Sequence, residues 1–231
     1  MQKRLAQGEE KARIVRMMFD RIAPKYDFMN RLISLGMDRR WRKKTLRSVS
    51  LKPSDIVLDL GCGTGDLSLL SESIGATVIG IDFSTVMLRY AQARSINSSF
   101  IRANAANLPL ADSSVSVVVS GFTLRNFVDL KAVLSEIRRV LIPTGRIALL
   151  EVSKPKQEPF RTIHMLYLSN VVPRLGAILS DKDAYSYLPL SLAYLPSDDA
   201  LFTLLQQYGF QRIRRCHFFF GSAQLITAIR E

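Results

Sequence analysis

The chain has 231 residues, of which 48% are hydrophobic and 23% are charged, so its composition excludes a disordered protein and allows one domain with a sizeable core. Its net charge of +12 is uneven: the first 50 residues hold 14 Lys and Arg against 5 Asp and Glu, a net of +9, and the rest supply only +3. This asymmetry indicates contact with nucleic acid or a phospholipid surface, unless the charges are simply a solvated helical face.

Localisation is constrained by what the chain lacks. Its start has no apolar signal core, and no stretch approaches the length of a membrane span. Cys62 and Cys216 are the only cysteines, and they form neither a disulfide framework nor a metal-ligand spacing. We therefore expect a cytoplasmic protein without a metal site.

Residues 9–49 are predicted to be helical, because apolar side chains recur at helix-like spacing around Pro24 and the second helix ends at Gly36. A basic run, residues 39–44, surrounds Trp41, the only tryptophan. A tryptophan among cations suits a membrane interface or a nucleic acid. The alternative of similar weight is that Trp41 anchors its helix to the core.

A short apolar strand at residues 55–60 is predicted to run into a glycine turn at residues 61–65 and then into a helix that ends near residue 74. Glycine lets a ligand approach the backbone closely, because no Cβ atom is in the way. The spacing is Gly-x-Gly-x-Gly, and Asp66 stands where a dinucleotide fingerprint would have its third glycine. Asp59 suits a positively charged ligand such as S-adenosylmethionine and would repel a pyrophosphate. An ordinary glycine turn in an α/β protein is the alternative.

The second strand, residues 76–81, ends at Asp82, and Ser84 is predicted to cap a helix that ends near residue 93. An acid about 20 residues beyond the glycine turn is placed to accept hydrogen bonds from the two ribose hydroxyls of an adenosine group. Nicotinamide cofactors and S-adenosylmethionine both contain adenosine, so Asp82 is compatible with either.

Three further strands are predicted at residues 98–102, 115–121 and 147–152, the last after a turn at residues 143–145, and Asp129 is predicted to cap the helix before that turn. Strands that alternate with helices through short links form a doubly wound parallel sheet, whose ligand lies beyond the carboxyl ends of the strands. One crevice should therefore gather the informative residues at those ends, namely Asp59, residues 61–65, Asp82, Asn104 and residues 121–126.

The βα rhythm stops at residues 153–196, which are rich in tyrosine and proline and are predicted to form a lid over the crevice. A helix is predicted from Ser197 to about residue 208, followed by a hairpin of residues 211–220 and 223–229. Five parallel strands with a C-terminal antiparallel hairpin are the arrangement of the α/β, Rossmann-like class I S-adenosylmethionine-dependent methyltransferases. The single domain then comprises a helical cap (1–50), a donor-binding core (51–152), the lid (153–196) and a C-terminal helix and hairpin (197–231).

Several stretches match the signatures of a known family over nearly the whole chain: MFDRIAPKYDFMN at residues 18–30, LISLG at 32–36, LDLGCGTGD at 58–66, GIDFS at 80–84, LRN at 124–126, LEVSKP at 150–155 and YSYLP at 185–189. The glycine motif is generic to methyltransferases, whereas the N-terminal, LRN and YSYLP motifs are far more specific. On these motifs the chain resembles the ubiquinone/menaquinone biosynthesis C-methyltransferases.

The chain departs from that family at several positions. Asp38 stands where a histidine is usual, and Thr123 replaces a glycine just before the Leu-Arg-Asn motif. Ser116 and Leu190 each replace an acid. These departures concern the acceptor side of the site more than the methyl donor.

The resemblance implies methyl transfer from S-adenosylmethionine to a ring carbon of a prenylated quinol, in the first place demethylmenaquinol to menaquinol in menaquinone biosynthesis. The alternatives are 2-methoxy-6-polyprenyl-1,4-benzoquinol in ubiquinone biosynthesis, or another small molecule or lipid. A neutral quinol is a poor carbon nucleophile, whereas the phenolate left by loss of a hydroxyl proton carries negative charge on the attacking ring carbon. Such an enzyme aligns donor and acceptor, stabilises the phenolate and excludes water.

Arg125 and Asn126 are the predicted catalytic residues. The guanidinium is a poor base, so it should neutralise the oxyanion or orient a water, while the amide bonds a quinol oxygen. The alternative is that both residues tie a loop to the sheet. The predicted donor-binding residues are Asp59, Gly61, Gly63, Thr64, Gly65, Asp82, Asn104, Ala105 and Gly121. The predicted acceptor-binding residues are Tyr26, Asp27, Asn30, Tyr185 and Tyr187. His164 is a conceivable proton acceptor, but a lone histidine in an aromatic lid is more often structural.

A polyprenyl substrate resides in the bilayer, so the basic, Trp-bearing N-terminal face is predicted to contact anionic lipid at the inner face of the membrane. An RNA methyltransferase would suit the isoelectric point of about 10.0. However, the chain has no Asn-Pro-Pro-aromatic motif and no cysteine after a proline, so no nucleic-acid partner is expected. The complete donor motif disfavours an inactive binding protein, and its spacing disfavours a nicotinamide dehydrogenase. The sequence leaves open whether the chain forms a homo-oligomer.

Overall fold

The computed structural model describes residues 6–231, except for the side chain of Lys182. The strands are β1 (Ile56–Leu60), β2 (Thr77–Asp82), β3 (Ser99–Arg102), β4 (Val115–Gly121), β5 (Leu141–Val152), β6 (Phe210–Phe218) and β7 (Ala223–Arg230). The helices are α1 (Gly8–Ile22), α2 (Tyr26–Ile33), α3 (Met37–Ser48), α4 (Asp66–Glu72), α5 (Thr85–Arg94), α6 (Leu130–Val140), α7 (Phe160–Leu166), α8 (Val172–Leu179), α9 (Lys182–Ser191) and α10 (Asp198–Gln207).

The seven strands form one sheet in the order β3-β2-β1-β4-β5-β7-β6. Strands β1 to β5 pair in parallel, and β7 lies antiparallel between β5 and β6. The chain leaves β1 to build one half of the sheet and returns to place β4 on the other side. Because ligands bind beyond the carboxyl ends of the strands at such a reversal, the site is expected above β1 and β4. The predicted fold class is confirmed.

The central strands are buried on both faces. Along β4, Val118 packs in one apolar cluster with Leu134 of α6, whereas Val117 and Val119 pack in a second cluster with Leu46 of α3. Successive side chains of a strand point to opposite faces, so one uninterrupted apolar run supplies both clusters.

Local capping signals are confirmed. The side chains of Ser84, Asp129 and Ser197 accept hydrogen bonds from backbone N–H groups in the first turns of α5, α6 and α10, respectively. Each is the polar residue that the sequence places before an amphipathic stretch, and each satisfies a donor that the helix cannot satisfy internally.

Two predicted boundaries are wrong. Strand β5 begins at Leu141, and residues 143–145 form an irregularity within it: the pairing with β4 shifts between Val115 and Val117, and Thr144 has a φ of +62°. A proline and a glycine can occupy a bulge as well as a turn, so composition alone does not separate the two. Strand β6 ends at Phe218, since Phe219 and Phe220 adopt φ values of +40° and +54°.

The segment predicted as a lid is helical, with α7, α8, α9 and a π-helical turn at Tyr167–Val171. It packs on the N-terminal helices in a third apolar cluster that includes Met18, Met29, Leu168 and Tyr185. Within the described range, no helix combines the length and apolar character that a membrane crossing requires.

The basic run of α3 is partly internal. Trp41 stacks on Phe218 with ring centroids 6.1 Å apart and planes 9° apart, and Arg42 is only 6% exposed. Trp41 therefore anchors α3 to the sheet, as the alternative interpretation held. Its side chain is half-buried, and its contact with lipid stays a prediction.

Candidate functional site

Two adjoining cavities open at the carboxyl ends of the strands. The sheet cavity, about 330 Å³, is lined by the ends of β1 and β2 and by the segments that follow β3 and β4. The lid cavity, about 450 Å³, lies between the N-terminal helices and the lid. Phe19, Tyr26 and Phe122 line both cavities, so the two share an aromatic wall. Both volumes fall in the range of small-molecule pockets.

The glycine turn presents bare backbone to the sheet cavity. Gly61 has a φ of +69°, and a Cβ atom at this position would lie 2.3 Å from Cγ2 of Thr123. Gly63 has a φ of +55° and donates its N–H to Oδ2 of Asp82 at 2.9 Å. Both conformations favour glycine, and at Gly61 no larger residue fits. Both glycines line the sheet cavity, so backbone without side chains borders the space where a ligand would lie.

Asp82 ends β2 at the lining of the sheet cavity. Its Oδ1 accepts the N–H of Ser84 at 2.9 Å, so each oxygen holds one backbone donor. Burial raises the pKa of Asp82, and the backbone hydrogen bonds oppose that shift. A carboxylate oxygen can accept more than one hydrogen bond, so both oxygens retain acceptor capacity for a pair of hydroxyls. This arrangement fits the ribose of S-adenosylmethionine.

Asn104 and Ala105 also line the sheet cavity, beyond the end of β3. Oδ1 of Asn104 accepts the N–H of Ala106 at 3.0 Å, which closes a local turn and orients the side chain. Of the nine predicted donor-binding residues, the structure thus brings five to this cavity: Gly61, Gly63, Asp82, Asn104 and Ala105.

Asp59 lies outside the cavity lining. Along β1 it alternates with Leu58 and Leu60, so its side chain points to the face of the sheet covered by α4. There its Oδ2 accepts the hydroxyl proton of Ser68 at 2.6 Å, and burial raises its pKa to about 6. Asp59 thereby fastens α4 to the sheet beneath the glycine turn, and its predicted attraction for a cationic donor stays untested.

Thr64, Gly65 and Gly121 also lie outside that lining. A Cβ atom on Gly65 would lie 3.1 Å from Cβ of Ala91, and one on Gly121 would lie 2.9 Å from Nη1 of Arg42. These two glycines therefore permit close packing of elements around the turn, and their predicted contact with the donor has no support in this geometry.

Thr64 belongs instead to a polar network that joins α2, the glycine turn and α5. Its hydroxyl donates to Asp27, and Arg94 pairs with Asp27 and Asp66 at 2.7 Å each. Asp27 accordingly lies outside both cavities, although the neighbouring Tyr26 lines them. Consecutive residues of a helix point about 100° apart, and here Tyr26 faces the cavities while Asp27 faces the glycine turn and α5. The network fixes α2 against the turn.

The other four predicted acceptor-binding residues, Tyr26, Asn30, Tyr185 and Tyr187, do line the lid cavity. They come from α2 and α9, two helices that are far apart in the chain. Burial raises the pKa of Tyr187 to about 12, and it also raises those of Tyr26 and Tyr185. These phenols stay protonated and can serve as hydrogen-bond donors.

Arg125 is held on several sides at the wall of the lid cavity. Its guanidinium pairs with the fully buried Glu151 and donates Nε–H to Ser191 at 3.0 Å and Nη1–H to the carbonyl of Phe122 at 2.8 Å. The loop-tying interpretation is therefore correct for Arg125, and the same contacts hold its charge beside the cavity.

Asn126 lines the sheet cavity rather than the lid cavity. Its Oδ1 accepts the hydroxyl proton of Tyr187 at 3.3 Å, so the predicted catalytic pair is divided between the two cavities. Direct contact of Asn126 with a ring bound under the lid is not supported by this placement.

Several residues of the site were not predicted from the sequence. Phe19 and Phe122 form the shared wall, and Glu151 orients Arg125. Glu151 could have been predicted, because it is an acid near the end of an apolar strand, as Asp59 and Asp82 are. Asp38, noted only as a departure from the family, lines the lid cavity together with His164.

Comparisons with known proteins agree with this geometry. The model of the ubiE/COQ5 methyltransferase family matches residues 5–230. A demethylmenaquinone methyltransferase of Lactiplantibacillus plantarum is 40% identical over 89% of this chain and 91% of its own length. One of Thermus thermophilus is 40% identical over 84% of this chain and 91% of its own. A ubiquinone/menaquinone biosynthesis C-methyltransferase of Syntrophotalea carbinolica is 36% identical over 93% of each chain.

Solved structures show the same fold at low sequence identity. A SAM-dependent methyltransferase from Aquifex aeolicus aligns with a TM-score of 0.60 at 18% identity, over 82% of this chain and 89% of its own. One from Thermotoga maritima aligns with a TM-score of 0.64 at 18% identity, over 94% and 99%. The resemblance seen in the motifs is confirmed, and the chain belongs to the ubiE/COQ5 family of S-adenosylmethionine-dependent methyltransferases.

Proposed function

We propose that this methyltransferase C-methylates the ring of a prenylated quinol, with demethylmenaquinol as the first candidate acceptor. The observation that carries the proposal is the pair of cavities with one aromatic wall, because methyl transfer requires a donor and an acceptor in line across a short gap. Relatives named for demethylmenaquinone support this acceptor, while relatives named for ubiquinone and menaquinone keep the benzoquinol as the second candidate.

The residues of the sheet cavity would hold the donor. The backbone at Gly61 and Gly63 admits close approach, and Asp82 receives the ribose hydroxyls. S-adenosylmethionine, when bound, supplies an electrophilic methyl group on a sulfonium. The residues of this cavity would orient that methyl group toward the junction of the two cavities, which is lined by Phe19, Tyr26 and Phe122.

The lid cavity would hold the quinol ring. Arg125, fixed by Glu151, places a permanent positive charge beside the developing phenolate, and the protonated tyrosines can donate hydrogen bonds to the ring oxygens. The apolar lining contributed by α7, α9 and the hairpin excludes water, which strengthens these interactions.

The mouth of the lid cavity suits a prenyl chain. Its lining includes five large apolar side chains that are at least 36% exposed: Leu35, Phe160, Ile163, Phe219 and Phe220. Phe160 and Phe220 stack on one another with centroids 4.1 Å apart. An exposed apolar rim of this kind is typical of a contact with lipid or with another apolar partner.

We propose that this rim contacts the membrane from which the quinol is drawn. Cationic side chains lie near it along the chain: Nζ of Lys44 lies 5.3 Å from the ring of Phe218, which precedes Phe219 of the rim, and the exposed Arg161 follows Phe160. Vesicle flotation tests this proposal. Binding to anionic vesicles should weaken with salt and with Phe219→Ser/Phe220→Ser, and salt-independent binding, or none, would contradict it.

The enzymatic assignment is tested with purified enzyme, labelled S-adenosylmethionine and reduced acceptors. Demethylmenaquinol should be methylated with a kcat/KM well above that for 2-methoxy-6-polyprenyl-1,4-benzoquinol. In a deletion strain, mass spectrometry should show accumulation of demethylmenaquinone. An unchanged quinone pool, together with no transfer to either quinol, would reject the proposal.

A further inference from the structure

Asp38 is a buried carboxylate that lines the lid cavity. The residue is 2% exposed, and it lies in the first turn of α3. Its Oδ1 accepts the hydroxyl proton of Ser34 at 2.9 Å. Its Oδ2 is buried, and no hydrogen-bond donor reaches it among the residues that the structure describes.

This situation is costly for a purely structural acid. Burying a carboxylate is strongly unfavourable unless a cation or a set of hydrogen bonds compensates it. Other buried acids meet that requirement: Glu151 pairs with Arg125, and Asp55 pairs with Arg146. Asp38 has no such ion pair within residues 6–231. The buried Asp59 also has one unpartnered oxygen, but it lies outside both cavities.

The position of Asp38 is close to where the reaction would occur. Trp41, one helical turn further along α3, contacts the shared wall, since its ring lies 6.4 Å from that of Phe122. Residues three apart lie next to one another on the surface of a helix. The carboxylate is therefore near the shared wall, which marks the junction of the two cavities where the methyl group would be transferred.

We propose that Asp38 is the general base that removes the hydroxyl proton of the quinol, an assignment that rests on the proposed function. Oδ2 takes the proton, and the O–H electron pair remains on the phenolate. The ring carbon then forms a bond to the methyl carbon as the methyl–sulfur bond breaks, which leaves S-adenosylhomocysteine. Loss of the hydrogen from the methylated carbon and return of a proton to the oxygen restore the quinol, so one proton is released overall.

The other titratable groups on this cavity are weaker candidates. The phenols of Tyr26, Tyr167, Tyr185 and Tyr187 have pKa values raised by burial, so they retain their protons. The guanidinium of Arg125 has no acceptor capacity.

His164 is the rival base. Burial lowers its pKa, and its Nδ1 is buried without a partner among the described residues. It belongs to α7, however, next to the exposed Ile163 at the mouth of the lid cavity, whereas Asp38 adjoins the shared wall.

The test compares Asp38→Asn and Asp38→His with His164→Asn, which removes the rival base, and with the control Asp112→Asn, whose exposed side chain lies outside both cavities. Loss of a general base reduces kcat by about 10²- to 10⁴-fold. We expect a loss in that range for Asp38→Asn, with donor affinity by calorimetry unchanged within about threefold. Asp38→His should recover part of the rate, with the acidic limb of its pH profile moved to higher pH, since histidine titrates near about 6.5. His164→Asn should lose far less activity than Asp38→Asn, and the control Asp112→Asn should stay within about fivefold of wild type.

A quinol with an electron-withdrawing ring substituent provides a second readout, because its more acidic hydroxyl needs less help from a base. With this acceptor, the ratio of the wild-type kcat to the Asp38→Asn kcat should be at least tenfold smaller than with the ordinary quinol. A merely structural defect would lower kcat by the same factor for both acceptors. Wild-type rates in Asp38→Asn, or the large loss in His164→Asn instead, would overturn the assignment of Asp38. If wild type itself methylates no quinol, the proposed function has failed instead.

Discussion

The buried pair between Glu151 and Arg125 allows a quantitative prediction. Glu151 has no exposed surface. Its carboxylate forms an ion pair with the guanidinium of Arg125 and accepts a hydrogen bond from the backbone N–H of the same residue at 3.1 Å. Removal of one partner from a buried ion pair costs roughly 3–5 kcal/mol, because the remaining charge is left uncompensated. Glu151→Gln keeps the shape and removes the charge, so we expect a loss at the lower end, about 3 kcal/mol.

For a chain of this size, 1 kcal/mol shifts Tm by roughly 2–4 °C, so Glu151→Gln should lower Tm by about 6–12 °C. Urea unfolding followed by circular dichroism gives the free energy directly. The matched control is Asp112→Asn, because Asp112 also pairs with an arginine, Arg139, but its side chain is 78% exposed. An exposed pair contributes about 0–1 kcal/mol. If Glu151→Gln lowers the free energy of unfolding no more than Asp112→Asn does, Glu151 does not hold Arg125 in the way inferred here.

Three further predictions concern the glycine turn and the residues packed around it. Gly61→Ala should weaken donor affinity in calorimetry by more than tenfold, because its Cβ would meet Thr123 at 2.3 Å; Gly36→Ala, with open space around its added Cβ, should leave that affinity unchanged. The pKa of Asp59 is raised to about 6, so its contribution to stability is present below pH ~4 and lost as pH rises through 6; chemical unfolding of Asp59→Asn should lack this decline. Arg94→Met releases Asp27 and Asp66 and should raise the donor KM severalfold with kcat nearly unchanged; an unchanged KM would contradict the role given to the network.

Features set by local interactions were predictable from the sequence. The run from an apolar strand into a glycine turn, the strand ends that carry Asp82 and Asn104, and the three side-chain caps all depend on residues within a few positions of one another. The family resemblance rested on the same contiguous motifs. The irregularity in β5 escaped prediction because a bulge and a turn use the same residue types.

Tertiary structure decided which polar side chains meet. Arg125 and Glu151 are 26 residues apart, and Thr64 and Asp27 are 37 apart, so no local pattern announces either pairing. The same holds for Trp41, whose stacking partner Phe218 lies far along the chain.

Asp59 and Asp82, the two acids close to the glycine turn, show most clearly what the sequence determined and what the tertiary structure decided. By sequence alone, both acids were predicted to bind the methyl donor, Asp59 through the donor's positive charge and Asp82 through the donor's ribose hydroxyls. In the fold, Asp59 is turned by strand alternation toward α4, whereas Asp82 ends β2 at the cavity with an N–H of the turn on its carboxylate. The sequence determined that a ligand-binding turn exists, because its signals are local. The direction in which each carboxylate points was decided by the packing of helices on the two faces of the sheet.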